Sequence, residues 1–399
     1  MAILKEFFVA SSKEIADGET TDTYFRLTRE ILHQNGLDSV VVKAEITATE
    51  LPDQWKWAVL TGVEEMVRLF EGVPVTIRSL REGTVFRNKS RRGVPVPLVR
   101  IEGKYADFAV YETPALGFLC QSSGISTMSS RYRKSAGDKT ILSFGVRRAH
   151  PGIAPMIDRA SYIGGCDAVS SILGAKCIGQ PPQGTMPHAE VLVFGDSRKA
   201  FDAYSRAAHK GTRKIALVDT FSDEKSEALL AARTIPDLYA VRLDTPKSRR
   251  GSFASIVSEV RWELDANGFR NVGIIVSGGI REEDIPSLVA AGVDGFGVGT
   301  AISNAPAVDF ALDIVEVDGR KYTKRGKYSG AKEVYRCPKC MNFDVLHEGQ
   351  RPGRCPDCGT KQESMLHTVI REGKRTAKEE SPDSIRERVL SELKSISEL

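Results

Sequence analysis

Between residues 214 and 303 the sequence repeats one pattern: a short apolar segment, then a polar or glycine-rich turn, then an amphipathic segment. The repeats start at KIALVDT, LYAVRLDT, VGIIVSGG and VDGFGVGT. Apolar runs that alternate with amphipathic helices predict the strands of a parallel sheet. Several such units at near-constant spacing predict an α/β barrel, and this feature constrains the fold more than any other.

Polar residues and glycines follow each predicted strand directly. They are Asp219, Arg242, Asp244, Gly278, Gly279, Gly299 and Thr300. Loops after barrel strands carry the chemistry of such folds, so these residues are candidate site residues. Glycine turns let backbone N–H groups approach a phosphate, and an arginine beside a carboxylate suits a diphosphate and Mg²⁺. Packing glycines and a plain ion pair at the barrel mouth are the structural alternatives.

The segments on either side of the barrel predict further parts. Residues 1–112 mix strands, in SVVVKAEITA, PVTIRSLREGTVF and VPLVRIEGKYADFAVYE, with a helix in WKWAVLTGVEEMVRLFEG, which is typical of an α+β sheet domain. Turns are expected at Gly83 and Gly103. A hairpin with a DG turn follows the barrel, and we expect residues 304–335 to complete that sheet. The barrel domain then spans residues 113–303, and a C-terminal module spans 336–399.

The C-terminal module contains two CxxC pairs separated by 14 residues: Cys337, Cys340, Cys355 and Cys358. Four thiolates from two tight turns suit tetrahedral Zn²⁺, and a site closed by four cysteines leaves no open position for chemistry. We therefore expect a structural zinc site. The other three cysteines, Cys120, Cys166 and Cys177, are expected to be buried. The tail predicts a helix with Ser381 as N-cap and Pro382 as its first residue.

Three further stretches contain candidate residues. SFGVRRAHP offers Phe144 to stack on a planar ring and Arg147 to hold a negative group. TDTYFRLT places Tyr24 in a turn that enters a helix, and QGTMPHAEV places Thr185 and His188 near the start of an apolar run that is either helix or strand. If that run is helical, His188 lies where an anion is favoured and a phosphoryl group is accepted. Taken alone, His188 fits a structural role better.

Composition excludes several classes of protein. The net charge of +4 is too small to indicate nucleic-acid binding by itself. No apolar run reaches the roughly 20 residues that span a bilayer, and the first residues lack a signal-peptide pattern. We therefore expect a cytoplasmic protein that acts on small molecules.

Together the stretches TDTYFRLT, FGVRRAHP, GTMPH, VDTF, RLDTP, SGGI and GVGT resemble one family, the nicotinate phosphoribosyltransferases with their nicotinamide and quinolinate relatives. The resemblance covers about residues 20 to 300. It implies an incomplete α/β barrel joined to an open sheet domain, and dimers with shared active sites. It also implies the transfer of phosphoribose from 5-phosphoribosyl 1-diphosphate to nicotinate in NAD salvage, giving nicotinate mononucleotide and diphosphate.

The resemblance also implies roles for single residues. Tyr24 from a neighbouring subunit and Phe144 would sandwich the pyridine ring, with Arg242, Thr185 and Arg147 around nicotinate. Asp219 and Asp244 would serve the ribose and Mg²⁺. The 5-phosphate would lie on the two glycine turns, at Gly278, Gly279, Gly299 and Thr300. His188 would be phosphorylated by ATP, and hydrolysis of that phosphohistidine would drive the equilibrium towards product.

The sequence departs from the family pattern at one place. The common RLDSGD appears here as RLDTPKSRRG, so Lys247, Arg249 or Arg250 would replace the lost diphosphate contacts. Quinolinate and nicotinamide are the alternative substrates within the family, and the stretch GTMPH favours nicotinate. A nucleic-acid-binding zinc ribbon is a remote alternative, suggested by the CxxC pairs and the arginine-rich loops.

Overall fold

The structure, a computed structural model, describes residues 7–208, 211, 213–249 and 251–396. Arg250 therefore lies outside the described residues. The chain divides into two units, which we describe separately: Met1–Thr127 with Pro306–Leu399, and Met128–Ala305. The domain boundaries expected from the sequence stay predictions. Within the described residues, no helix is long and apolar enough to cross a membrane.

The first unit is built from antiparallel strands with helices. Its helices are α1 Ser12–Ala16, α2 Thr23–Gln34, α3 Val63–Phe70, α4 Tyr105–Phe108, the first part of α5 Glu112–Ala136, and α14 Pro382–Leu393. Its strands are β1 Val41–Ala48, β2 Ala58–Val59, β3 Thr76–Ser79, β4 Val85–Phe86, β5 Pro97–Lys104, β12 Phe310–Val317, β13 Arg320–Lys321, β14 Lys332–Arg336, β15 Phe343–His347, β16 Glu363–Ser364, β17 His367–Arg371 and β18 Lys374–Arg375.

The main sheet of this unit joins residues from both ends of the chain. Its order is β13-β12-β1-β5-β3-β17-β18. Strand β12, which follows the barrel, pairs antiparallel with β1 from Val42 to Ala48, whereas β14 belongs to a separate three-stranded sheet. The turn between β12 and β13 has positive φ at both central residues, Asp318 (47°) and Gly319 (73°). These angles match a two-residue type I′ hairpin turn, for which an Asp-Gly pair is the preferred sequence.

Two predictions for the first unit are wrong in detail. The helix expected from WKWAVLTGVEEMVRLFEG covers only Val63–Phe70, because Ala58–Val59 pairs with β4 as a strand. Gly62 interrupts the segment with φ 86°, and a Cβ there would lie 2.2 Å from the Phe118 carbonyl oxygen. Gly103 lies inside β5 rather than at a turn. Close packing explains this glycine, since a Cβ would lie 2.7 Å from Val75 Cγ1.

The C-terminal helix has the predicted start. The Ser381 side chain accepts a hydrogen bond from the Ser384 N–H, and Pro382 is the first helical residue. Ile385, Val389 and Leu393 are buried. Of the three single cysteines, Cys166 is buried, Cys120 is partly buried and Cys177 is exposed, so the expected burial is wrong for Cys177.

The second unit is a parallel sheet with helices. Its strands are β6 Thr140–Ser143, β7 Ala168–Val169, β8 Lys214–Leu217, β9 Leu238–Leu243, β10 Gly273–Val276 and β11 Gly295–Val298. Its helices are the last part of α5, α6 Ala154–Ile163, α7 Ile172–Cys177, α8 His188–Phe194, α9 Ser197–Ala207, α10 Glu224–Thr234, α11 Phe253–Ala266, α12 Ile285–Ala290 and α13 Thr300–Ser303.

This sheet confirms the predicted incomplete barrel. The strand order is β7-β6-β11-β10-β9-β8 and every pair is parallel. In the described part of the chain β7 and β8 do not pair with each other, so the sheet stays open. A cluster of small and branched side chains packs within it: Leu142, Ala168, Ile215, Ala240 and Ile275, with Phe144 packed against them. The carboxyl ends of the parallel strands lie at one edge of the sheet, where loop residues meet.

Candidate active site

A cavity of about 570 Å³ lies at the carboxyl ends of the half-barrel strands. Predicted site residues from distant parts of the sequence line it together: Phe144, Arg147, Thr185, His188, Arg242, Asp244, Gly278, Gly279, Gly299 and Thr300. The strand register explains this convergence. Arg242 in β9 is level with Leu217 in β8 and Ile275 in β10, so the loops that follow these strands leave the sheet side by side.

Asp219, which follows β8, uses its two carboxylate oxygens differently. Oδ2 accepts hydrogen bonds from the Asp244 backbone N–H (2.7 Å) and the Thr245 hydroxyl (3.1 Å), and so holds the loop after β9. Oδ1 is buried and has no hydrogen-bond partner among the described residues. The side chain is only 5% exposed, and burial raises the pKa of Asp219. An unpartnered carboxylate oxygen in this position is suited to a cation or a hydroxyl donor.

Arg242 is a buried cation that Ser277 connects to Asp244. Its Nη1 donates to Ser277 Oγ (2.9 Å) and lies 3.2 Å from Asp244 Oδ2, while Nη2 donates to the Met186 carbonyl oxygen (3.2 Å). The Ser277 hydroxyl donates in turn to Asp244 Oδ1 (2.8 Å). Arg242 and Asp244 therefore form an ion pair, which is the structural alternative considered for this stretch, and Ser277 fixes both side chains at the edge of the cavity. Charge-assisted contacts of this kind are stronger than neutral hydrogen bonds.

His188 is the first residue of α8, which decides in favour of helix for this segment. Pro187 is the N-cap of this helix, with φ −88° and ψ 155°. The imidazole is 39% exposed; its Nδ1 lies 3.1 Å from Thr220 Oγ1. Its Nε2 faces two carboxylates, at 3.6 Å from Asp219 Oδ1 and 3.9 Å from Asp244 Oδ2. This surrounding of polar and charged groups fits a functional histidine better than a packing residue.

The glycine turns form one wall of the cavity. Gly278 and Gly279 both have positive φ, 87° and 70°, which other residues rarely adopt. A Cβ at Gly278 would lie 3.0 Å from Asp244 Oδ1, so the backbone passes close to the acidic side. Gly297 acts differently, because a Cβ there would lie 2.7 Å from Phe144 Cδ2, so glycine makes room for the Phe144 ring.

The cavity also contains residues that sequence reasoning did not single out for it. Among them are Arg148, Ser170, Met186 and Arg281. Ser170 follows β7 directly, so its position was an available signal, as it was for Ser277, which begins the predicted glycine loop after β10. The contact of Thr220 with His188 depends on tertiary packing, and no local pattern predicts it.

Tyr24 lies in the first unit, whereas the cavity belongs to the second. It is the second residue of α2 and is 56% exposed, with its hydroxyl 3.5 Å from Asp22 Oδ2. Burial, followed by the nearby Asp22 and Glu112 carboxylates, raises the pKa of Tyr24. Its role in a neighbouring subunit's site stays a prediction.

The four cysteines of the C-terminal module form one cluster. Their Sγ atoms all lie within 4.8 Å of one another, and those of Cys337 and Cys358 are 3.5 Å apart. Sulfur atoms bound to one tetrahedral Zn²⁺ at about 2.3 Å stand about 3.8 Å apart, so this donor set fits the ion. Gly359 turns the chain after the second pair with φ 70°, and its N–H donates to the Cys355 carbonyl oxygen.

An open parallel half barrel whose strands end in carboxylates, a buried arginine and glycine turns defines a class of proteins that bind a phosphorylated substrate at the sheet edge. The sequence matches two family profiles, the C-terminal domain of quinolinate phosphoribosyl transferase over residues 125–313 and its N-terminal domain over residues 22–123. The chain belongs to this family of type II phosphoribosyltransferases, which includes nicotinate phosphoribosyltransferases.

Known proteins agree with this placement. The crystal structure of nicotinate-nucleotide pyrophosphorylase from Pyrococcus furiosus is 47% identical, with a TM-score of 0.94, and the match covers 98% of this chain and 99% of that chain. Nicotinate phosphoribosyltransferase pncB2 of Mycobacterium tuberculosis (strain ATCC 25618 / H37Rv) is 33% identical over 291 residues, 68% of this chain and 60% of its own length. The chain thus spans about 60% of the length of such curated relatives. Human nicotinic acid phosphoribosyltransferase shares the fold at 18% identity, with a TM-score of 0.77 and 94% of each chain covered.

Proposed function

We propose that the protein is a nicotinate phosphoribosyltransferase of NAD salvage, which forms nicotinate mononucleotide and diphosphate from nicotinate and 5-phosphoribosyl 1-diphosphate. The observation that carries this proposal is the cavity lined by an aromatic ring, arginines, the strand-end carboxylate Asp244 and glycine turns, with a second carboxylate, Asp219, 3.6 Å from the His188 ring that also lines it. Each group suits one part of the two substrates. The names of the mycobacterial and Pyrococcus relatives support the same reaction class.

The acceptor base would lie against Phe144, with its carboxylate held by Thr185, Arg147 and Arg242. The ring of Phe144 packs over Gly297 and is therefore fixed for stacking. Arg242 is rigid because three groups bind its guanidinium, namely Ser277, Asp244 and the Met186 carbonyl oxygen. The pyridine nitrogen is already a free nucleophile, so these residues contribute mainly by positioning rather than by proton transfer.

The phosphoribosyl donor would lie between the glycine turns and the two carboxylates. As the bond from the anomeric carbon to diphosphate breaks, positive charge develops on the ribose ring. Asp219 Oδ1 and Asp244 stabilise this charge, and they do so strongly because Asp219 is shielded from water. Oxygen ligands suit Mg²⁺, and these two carboxylates would hold it; the ion supplies neutralisation of the leaving diphosphate.

We further propose that ATP drives the reaction through His188. The γ-phosphoryl group would pass to a ring nitrogen, with a P–N bond formed as the bond to ADP breaks, and water would later release phosphate. Nδ1 has Thr220 as its neighbour, and Nε2 faces Asp219 and Asp244, the two carboxylates that would hold Mg²⁺. This geometry supports a phosphorylated histidine beside the transfer site.

Quinolinate is the second candidate acceptor, since the matching profiles are those of quinolinate phosphoribosyl transferase. Exposed Arg147 and Arg148 at the cavity, with Arg242 behind them, are enough cations for two ring carboxylates. We prefer nicotinate as the acceptor because the proposed phosphorylation of His188 by ATP belongs to the nicotinate reaction.

The proposal extends to assembly and metal. In a dimer, Tyr24 of one subunit would cover the pyridine ring in the other. The four-cysteine cluster would hold a structural Zn²⁺, and elemental analysis of the purified protein would test this directly.

Mononucleotide formation from nicotinate, nicotinamide and quinolinate, each with and without ATP, tests the function. We expect turnover of nicotinate and stimulation by ATP. His188→Ala should keep basal transfer and lose the stimulation, whereas His33→Ala, a histidine of the first unit outside the cavity, should behave as the wild type. Turnover of quinolinate alone would overturn the assignment of the base, and full ATP stimulation in His188→Ala would overturn the phosphohistidine.

A further inference from the structure

We propose that Glu227, a buried carboxylate on α10, is a positioning residue for His188 and acts on the histidine ring through Thr220. Neither Glu227 nor Thr220 is among the described residues that line the cavity. The consequence for ATP coupling rests on the proposed function, whereas the placement of the ring does not.

Glu227 is the fourth residue of α10 and is 2% exposed. Three hydrogen bonds satisfy its carboxylate. Oε2 accepts from the Thr220 N–H (2.9 Å), and Oε1 accepts from the Phe221 N–H (3.2 Å) and the Ser197 hydroxyl (2.6 Å). A buried carboxylate is costly unless it is bonded in this way, and bonds to a charged acceptor are stronger than neutral ones. The side chain therefore orders the groups that donate to it.

The loop between β8 and α10 depends on this carboxylate. The Phe221 ring is 53% exposed, so packing of that side chain does little to hold the loop. The N–H groups of Thr220 and Phe221 bind Glu227 instead, which fixes the backbone of both residues. The Thr220 side chain then meets His188, with Oγ1 3.1 Å from Nδ1. A shift of the loop backbone would consequently move the hydroxyl away from the ring.

Glu227 also holds the segment that carries the histidine. His188 begins the seven-residue helix α8, and a turn with Gly195 at φ 65° leads from α8 into α9. The first residue of α9, Ser197, donates to Glu227. One carboxylate thus locates both the loop with Thr220 and the helix that follows α8, so it sets the distance between the hydroxyl and the ring from both sides.

The orientation of the His188 ring needs such support. The side chain is 39% exposed, and its Nε2 lies 3.6 Å from Asp219 Oδ1, beyond ordinary hydrogen-bond distance. Among the described residues, Thr220 alone forms a hydrogen bond with the ring. A ring without this bond would rotate more freely and spend less time with Nε2 towards the carboxylates. Because reaction rates depend steeply on the placement of the reacting group, coupling to ATP should be sensitive to Glu227.

Nitrogen-15 NMR of histidine-labelled protein, without substrates, tests the placement of the ring. His188→Ala identifies the His188 signals among the six histidines. Thr220→Val removes the hydroxyl with little change of shape and should shift the His188 Nδ1 resonance. Glu227→Gln should shift it in the same direction, because the amide nitrogen cannot accept a hydrogen bond and one loop N–H loses its partner. Thr220→Ser keeps the hydroxyl and should stay close to the wild type.

The ratio of ATP-stimulated to basal turnover connects placement to function. We expect this ratio to fall about tenfold in Glu227→Gln and in Thr220→Val, as for the loss of one hydrogen bond. Glu259→Gln makes the same substitution at an exposed carboxylate of α11 that pairs with Lys225, and it should keep the wild-type ratio. A merely structural role of Glu227 would instead lower both rates in parallel and leave the ratio unchanged, which would overturn the proposal.

Ser197→Ala keeps the test decisive if Glu227→Gln fails to fold, since it removes one of the three bonds to the same carboxylate and should shift the Nδ1 resonance less. An Nδ1 resonance that moves in neither Ser197→Ala nor Glu227→Gln would overturn the proposal. A resonance that moves in a protein whose wild type ATP does not stimulate would support the positioning role of Glu227 and count against the phosphohistidine alone.

Discussion

The four-cysteine cluster and the half-barrel cavity are two polar sites built in opposite ways. The cluster takes all its donors from residues 337–358, on two local turns. The cavity takes its residues from several loops and strand ends between residues 144 and 301. The first site depends on short-range geometry, and the second depends on the order of the sheet. Damage to the cluster should therefore affect folding, and damage to the cavity should affect chemistry.

The two sites also differ in how their charges are balanced. In a four-cysteine zinc site the negative charges of the thiolates are balanced only by the bound ion. At the cavity, Arg242, Ser277 and Asp244 bind one another directly, and beside it one oxygen of Asp219 has no hydrogen-bond partner among the described residues. The cavity is thus largely organised before any substrate arrives.

The largest effect is expected for Cys337→Ser, or for removal of the metal with a strong chelator. Binding of a structural Zn²⁺ contributes on the order of 10 kcal/mol, and much of this stabilises the folded module. We expect loss of bound zinc and a fall of several kcal/mol in the free energy of unfolding, measured by metal analysis and denaturant unfolding. Cys177→Ser, at an exposed cysteine, is the control. An unchanged unfolding transition with the metal removed would contradict a structural role.

Asp219→Asn should give the largest effect on chemistry. The asparagine oxygen can still accept from the Asp244 N–H and Thr245, so the loop should stay in place. Loss of the buried charge should lower kcat by about 10²–10³-fold, with the thermal midpoint nearly unchanged. Asp219→Ala removes the loop contacts as well and should also lower stability by about 2 kcal/mol. Equal activity of Asp219→Asn and wild type would exclude a role for this carboxylate in transfer.

Ser277→Ala should have a smaller effect, because Ser277 positions groups rather than reacting. Without its hydroxyl, Arg242 and Asp244 still lie 3.2 Å apart but lose their common partner. We expect kcat/KM to fall by about five- to thirtyfold, as for the loss of one or two hydrogen bonds to charged groups. Ser277→Thr keeps the hydroxyl and should recover part of the activity. A change in unfolding free energy without a change in kinetics would show a purely structural role.

The smallest effect is expected at Glu112, a carboxyl of the first unit that belongs to neither site. Burial, then the nearby Asp313 carboxylate, raises its pKa to about 7. The folded state therefore holds a proton that the unfolded chain releases near pH 4.5, so this group makes the protein less stable as pH rises from about 5 to about 7.

Glu112→Gln removes this dependence. We compare the free energy of unfolding of Glu112→Gln with that of the wild type at each pH. The difference in favour of the variant should be about 1–2 kcal/mol larger at pH 8 than at pH 5, after allowance for solvent screening. Denaturant unfolding at both pH values measures the difference. A gain for Glu112→Gln that is equal at the two pH values would refute the raised pKa of Glu112.

Sequence reasoning predicted the elements whose cause is local or periodic. The half barrel followed from repeated strand–turn–helix units, the cysteine cluster from spacing, and the start of α14 from Ser381 and Pro382. Sequence reasoning failed where a contact between residues distant in the sequence determines the local structure. The helix expected before residue 62 is replaced by a strand because Ala58–Val59 pairs with β4, and the hydrogen bond between Arg242 and Ser277 exists only in the folded sheet.

The residue before the first cysteine ties the module to the C-terminal helix. Both terminal nitrogens of the Arg336 guanidinium bind the carboxylate of Glu392 on α14, at 2.7 and 2.6 Å, and both side chains are largely buried. Metal binding that orders the turn at Cys337 should then also favour docking of α14. By thermodynamic linkage, docking of α14 should equally favour metal binding. If the cluster binds the proposed Zn²⁺, the susceptibility of α14 to limited proteolysis should therefore fall as metal is added.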